Sequence, residues 1–198
     1  YDGRGIREKL GYSDDDVVVG YIGSIEFWLE MESLIKAIAL AKAKGLPVKL
    51  LLIGKQLQTE YPFKVRRWLS YYRVEDVTTW LDFIPHDDVP KYGAAIDVAT
   101  IPFSVNNPTA FYAAPNKLWE YLSQGAIVAS TPIPEVLMYR HIKSVHIVRC
   151  SEDYVKVFEG VWKCRDRSVD PRVGGLLKTR LWSNSVEHLK RILKSLTR

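Results

Sequence analysis

The heptapeptide P-N-K-L-W-E-Y, residues 115–121, holds the residue types in this chain best suited to meeting an anion. Proline fits the first turn of a helix, where its missing N–H costs nothing. The amides of Asn116, Lys117 and Leu118 would then lack intrahelical acceptors and point forward from the helix start. Lys117 sets a full positive charge beside them. The combination suits a diphosphate, and it suits an ordinary capped helix as well. Glu120 follows Asn116 by one turn and Lys117 by three residues, so all three share a face. A carboxylate there can accept hydrogen bonds from two vicinal hydroxyls, as on a ribose, or pair with Lys117 at the surface. The residues alone leave each pair of readings open.

Elsewhere reactive side chains are sparse. His86 precedes Asp87 and Asp88 in a helix-capping context, His141 and His146 flank an apolar run, and His188 falls in a tail helix. None of these has the spacing of a zinc site, and no metal or cofactor is expected. Cys150 and Cys164 are too few for a disulfide framework and read as idle thiols. Trp28, Trp119 and Trp182 read as packing residues, with Trp28 also placed to stack on a ligand at the loop after the first apolar run. The formal charge is +5, and Lys and Arg cluster at 64–73 and 190–198. These clusters read first as solvated faces of amphipathic helices. Weak attraction to anionic lipid is compatible with them, and no nucleic-acid partner is expected.

The elements that must position these residues follow from patterning. A chain of 198 residues with 47% hydrophobic and 12% aromatic content can bury a sizeable core, which excludes a disordered class. No apolar run reaches the roughly 18 residues that span a bilayer, and the first residues lack the zones of a signal peptide. The expected location is therefore cytoplasmic, with any membrane contact peripheral and at the inner face. Residues 1–16 read as a polar lead-in or linker, and the start at Tyr1 leads us to expect an upstream domain.

V-V-V-G-Y-I-G, residues 17–23, is a strand closed by glycine, followed by a helix carrying Leu34, Ile35, Ile38 and Ala41 that stops at Gly45. V-K-L-L-L-I-G, 48–54, repeats the strand, and a basic amphipathic helix follows over 61–72. Further strands are predicted at 77–84, 97–103, 126–130 and 145–149. Helices are predicted from 86 to 95, from Pro115, at 152–163 and at 183–196, with a loop over 169–175. Six short apolar strands separated by helices predict one α/β domain, a Rossmann-like parallel sheet covered on both faces. In such sheets ligands bind beyond the carboxyl ends of the strands, which places the loops after Gly23, Gly54, Ile84 and Phe103 on one edge.

The order of these pieces resembles the C-terminal, nucleotide-sugar-binding domain of a group-1, family 4 retaining glycosyltransferase with the two-domain GT-B fold. G-Y-I-G-S, V-K-L-L-L-I-G, L-D-F-I-P-H-D-D-V-P-K-Y, P-N-K-L-W-E-Y-L-S-Q-G-A-I-V-A-S and L-W-S-N-S-V-E carry the resemblance over nearly the whole chain. It implies transfer of a sugar from a nucleotide-diphosphate sugar to an acceptor held by a preceding domain, or a non-catalytic module of the same fold. By the same resemblance Gly23 brings backbone close to the donor phosphates, Ile84 and Pro85 hold the base, Lys117, Leu118 and nearby amides hold the diphosphate, and Glu120 holds the ribose. Three positions depart from the family pattern. Tyr112 stands where the first glutamate of the paired-glutamate motif contacts the donor sugar, Ser24 where many members carry arginine, and Leu29 near their lysine.

Overall fold

Apolar runs that end in glycine become the central strands, because both faces of a parallel strand must be covered and nothing in these runs asks for water. The computed structural model describes residues 2–55, 60–164, 171–179 and 182–196. A first helix α1 (Arg4–Lys9) leads into β1 (Val17–Ile22), α2 (Met31–Ala43) and β2 (Val48–Ile53). The basic helix α3 (Tyr61–Tyr71) precedes β3 (Thr78–Leu81), α4 (Val89–Ala94) and β4 (Val98–Ile101). Two short helices, α5 (Pro108–Phe111) and α6 (Lys117–Ser123), separate β4 from β5 (Ile127–Ser130). The chain closes with α7 (Pro134–Leu137), β6 (Val145–Ile147), α8 (Ser151–Cys164), α9 (Pro171–Thr179) and α10 (Trp182–Leu196).

The six strands form one sheet in the order β3-β2-β1-β4-β5-β6. Every pairing is parallel; Val17 stands opposite Val48, Val19 opposite Val98, and Val98 opposite Ile127. β2 runs to one side of β1 and β4 to the other, so the strand order reverses between them and opens a crevice at their carboxyl ends. Leu50, Leu51, Leu52, Val18 and Val19 are fully buried, each Leu-sized side chain contributing about 2 kcal/mol of transfer free energy. Helices α2 and α8 pack together on one face, and α4, α6 and α9 meet on the other.

The predicted boundaries move where local chemistry overrides the apolar pattern. β3 stops at Leu81 rather than 84, because Ile84 turns into the core and Pro85 has no N–H to give to the ladder. The Pro/Asn-rich loop after β4 contains α5, whose first turn is capped by the Asn107 side chain accepting from the Ala110 N–H at 3.2 Å. The expected loop over 169–175 is corrected in its described part: from Pro171 onward it is helix α9, started by a proline and anchored by the fully buried Val173. Residues 169 and 170 lie outside the described ones, as do the side chains of Trp182 and Leu196.

The lead-in packs onto the amino end of the sheet. Arg7 reaches Asp97 at 3.1 Å and donates to the carbonyls of Asp16, Ala95 and Ser13 at 2.6, 3.3 and 3.4 Å. Asp97 in turn accepts the Val18 N–H at 2.7 Å, which ties α1, β1 and β4 together.

Candidate functional site

At the carboxyl end of β1 the ladder runs on through Gly23, whose N–H donates to the Ile53 carbonyl at 2.7 Å. Gly23 has φ +145°, a conformation that disfavours any side chain. The space a side chain would fill is taken by Lys117: a Cβ on Gly23 would lie 2.5 Å from Nζ and 2.6 Å from Cε. Gly54 is bare for the same reason, since a Cβ there would run into the Gly23 carbonyl. The Lys117 ammonium also sits 5.8 Å from the centre of the Tyr21 ring, within reach of a cation–π attraction. It makes no hydrogen bond or ion pair with any described residue. Burial lowers the lysine's pKa from its ordinary value, and the Glu120 carboxylate partly restores it. A half-buried cation beside exposed backbone is the electrostatic setting an incoming anion would relieve.

Two tyrosines hold this arrangement. The Tyr121 hydroxyl accepts the Ile22 N–H at 2.9 Å, pinning α6 to the last residue of β1. Burial raises this hydroxyl's pKa above the ordinary tyrosine range, so it stays protonated at neutral pH. The Tyr21 hydroxyl donates to the Ser24 carbonyl at 2.9 Å and fixes the turn after Gly23. Leu118 and Leu122, buried on the inner face of α6, set its rotation so that Lys117 faces the β1 end. Neither tyrosine was singled out in the sequence. Both stood there as an aromatic residue inside a strand and one directly after Glu120, patterns that normally report packing alone.

The other anticipated positions are spread along the same edge. α6 begins at Lys117 with Asn116 as its cap, two residues after the predicted start at Pro115. The Leu118 N–H is therefore not free, because it donates to the Pro115 carbonyl at 3.1 Å. No described residue accepts from the N–H of Asn116 or of Lys117. Glu120 and Ser24 are exposed. Ile84 is buried and Pro85 exposed beyond β3, two strands from β1 and so about 10 Å along the edge. Tyr112 ends α5, 79% exposed, with its ring edge-on to Phe111 at 5.1 Å. It makes no hydrogen bond or ring contact with Gly23, Lys117 or the two tyrosines.

The loop from Ser24 to Glu30 is strapped across the end of β4 by Glu30 N–H to Pro102 carbonyl at 2.6 Å and Ser104 N–H to Trp28 carbonyl at 2.8 Å. Trp28 is half-buried against the core, while Phe27 beside it is 63% exposed. Glu26, only 1% exposed, is a buried carboxylate of this loop that the sequence pattern did not reveal. Among the described residues no three His, Cys, Asp or Glu side chains converge, and no helix is long and apolar enough to cross a membrane. Cys150 and Cys164 are free and exposed.

A parallel sheet whose order reverses beside a glycine-closed strand defines a Rossmann-like α/β domain, and solved structures place it with the halves of GT-B proteins. The chain is similar to HepE from Anabaena, solved in complex with UDP, with TM-score 0.77 and 17% identity over 98% of this chain and 51% of that one. Sucrose-phosphate synthase from Thermosynechococcus elongatus gives TM-score 0.79 and 17% identity over 100% of this chain and 49% of its own. The chain thus spans about half the length of these two proteins. The C-terminal domain of LpcC, a group 1 glycosyl transferase from Francisella tularensis, matches with TM-score 0.65 and 14% identity, covering 82% of this chain and 85% of that domain. At these identities the likeness is one of fold. No curated protein sequence matches the chain. Residues 16–154 match the family described as glycosyl transferases group 1, and the chain belongs to that family.

Proposed function

We propose that this chain is the donor-binding half of a retaining glycosyltransferase that takes a sugar from a nucleoside diphosphate sugar. The observation that carries this reading is the Lys117 ammonium laid across Gly23, half-buried and without an anionic partner in hydrogen-bond reach among the described residues. A diphosphate set there meets that charge and the free amides of Asn116 and Lys117, with Ser24 alongside. As the bond to the sugar breaks, negative charge grows on the departing diphosphate, and a preplaced cation in a dry site stabilises it without reorganising. Lys117 takes over part of the charge that family members carry at the positions of Ser24 and Leu29, so the reading calls for no metal. The ribose hydroxyls go to Glu120, and the base to main-chain groups at Ile84 and Pro85. Residues beyond this chain hold the acceptor, since the chain spans only half of its structural relatives. Membrane contact, if the acceptor is lipid-linked, falls to α3, where Lys64, Arg66 and Arg67 accompany the exposed Phe63 and Tyr71.

Calorimetric titration with uridine, guanosine and adenosine diphosphate sugars tests the reading. One of them should bind, and Lys117→Ala should weaken it at least ~10-fold, or about 1.4 kcal/mol. Equal affinity in the variant would refute the assigned role of Lys117. A second reading, a nucleotide-sugar-binding module without transferase activity, is favoured by Tyr112, which puts an exposed ring where the family's first glutamate stands. Sugar transfer by the full-length protein decides against it.

A further inference from the structure

A cavity opens on the same carboxyl edge, past the strap formed by residues 24–30 and over the ends of β4, β5 and β6. It measures about 390 Å³, and its walls include Glu30, Ser33, Asn106, Thr131, Arg149 and Tyr154. That volume matches the lower range of small-ligand sites, which hold a few convergent polar groups among apolar walls. Here Val148 and Pro132 supply apolar wall.

The telling group is Tyr154. The residue is 2% exposed, lies in the first turn of α8 and packs its ring against Phe158 with centres 6.1 Å apart. Its hydroxyl is buried and finds no hydrogen-bond partner among the described residues. Burial, with the Glu30 carboxylate nearby as the smaller cause, raises its pKa above the ordinary range, so it remains a neutral O–H. A buried hydroxyl left without a partner keeps its desolvation penalty, and such groups are rare enough in folded proteins to require a reason.

The surrounding charges say what kind of molecule would answer it. Glu30 already accepts from the Ser104 hydroxyl at 2.9 Å, which fixes its carboxylate at the cavity wall. Although α2 and α8 both start here, their ends are largely satisfied from within: the Met31 N–H goes to the Tyr61 hydroxyl at 3.3 Å, and the Arg149 N–H to the Asp153 carboxylate at 3.1 Å. The Ser151 hydroxyl is turned to the Ser33 carbonyl at 2.9 Å and locks the two helices together. A fixed carboxylate disfavours an anionic ligand, and the exposed Arg149 offsets the attraction for a cation. A neutral molecule rich in hydroxyls fits: its O–H groups donate to Glu30, and one of them pairs with Tyr154.

We propose that this cavity is a second carbohydrate site, taking a neutral monosaccharide unit, separate from the Gly23–Lys117 cluster. It does not depend on the donor reading, because no residue is shared between the two. The test is titration of the protein with glucose, galactose and N-acetylglucosamine by saturation-transfer NMR, with and without saturating UDP. At least one sugar should bind saturably and persist when UDP is present. Tyr154→Phe should weaken it roughly ten-fold, as expected when a buried hydrogen bond to a ligand is lost. Glu30→Gln, which keeps shape but removes the charge, should weaken it as well, and both variants should melt no lower than the parent by more than a few degrees. Absence of saturable binding by all three sugars would overturn the proposal. So would displacement of the bound sugar by UDP, or a Tyr154→Phe variant that binds with parental affinity while folded.

Discussion

Two cations, Arg7 buried and Lys117 half-buried, lie at opposite ends of the same sheet, and they are treated in opposite ways. Arg7, at the amino end, is 7% exposed, bonded to Asp97 and to three backbone carbonyls. Lys117, at the carboxyl end, has the Gly23 backbone below it, the Tyr21 ring at 5.8 Å and no hydrogen-bonded partner among the described residues. A charge paired through its terminal nitrogens, as Arg7 is, holds structure together, because removing it strands its partners in a dry place. An unsaturated one costs stability until something arrives to pair with it. The difference marks which end of the sheet is built for cohesion and which for a ligand.

The largest test strikes the paired side. Arg7→Ala removes the cation paired with Asp97 and should lower folding stability by about 3 kcal/mol, measured by urea unfolding, since breaking a buried pair from one side costs that much. A loss under half that size would mean the two ends are not distinguished as claimed. Next, Tyr121→Phe removes the acceptor for the Ile22 N–H and should cost about 1.5 kcal/mol of stability. It should also weaken nucleotide-sugar affinity, because α6 is then free to shift Lys117; intact affinity would show that this bond packs the helix without aiming the lysine. Third, Lys117→Met, which keeps the aliphatic stem and drops the charge, should leave the unfolding midpoint unchanged or raise it. A clear fall would mean that Lys117 is as structural as Arg7.

The smallest effect is a pH dependence. Burial puts the folded-state pKa of Lys117 below its ordinary value of 10.5. Between those two values the unfolded chain binds more protons than the folded one, so stability rises with pH there. The penalty of burying the ammonium is present in full below the folded pKa and relieved as pH climbs toward 10.5. Parent and Lys117→Met should therefore converge in stability through that alkaline window, followed by denaturant midpoints at stepped pH. A difference that stays constant would place the ammonium in contact with water.

Much of this fold was legible because its signals are local. V-V-V-G-Y-I-G and V-K-L-L-L-I-G each carry a buried strand and its glycine stop within seven residues, and the parallel class follows from how many such runs alternate with helices. The misread segments are those where a short-range rule competed. Pro171 read as a loop former, yet it starts a helix whose Val173 finds a buried place on the domain. P-N-K-L-W-E-Y announced a lysine and a carboxylate on one helix face, and that much the sequence determined unaided.

What the lysine faces was decided by tertiary structure. Its contact with Gly23 exists because β4 pairs with β1 and brings α6 over the end of that strand, a pairing between distant segments that no window of residues encodes. The Tyr121 to Ile22 bond joins residues 99 apart, and the Arg7 to Asp97 pair joins residues 90 apart. The cavity around Tyr154 likewise needs the ends of three strands and two helices at once. Apolar period and turn chemistry are properties of neighbours along the chain, whereas the saturation of a buried charge depends on everything that packs around it.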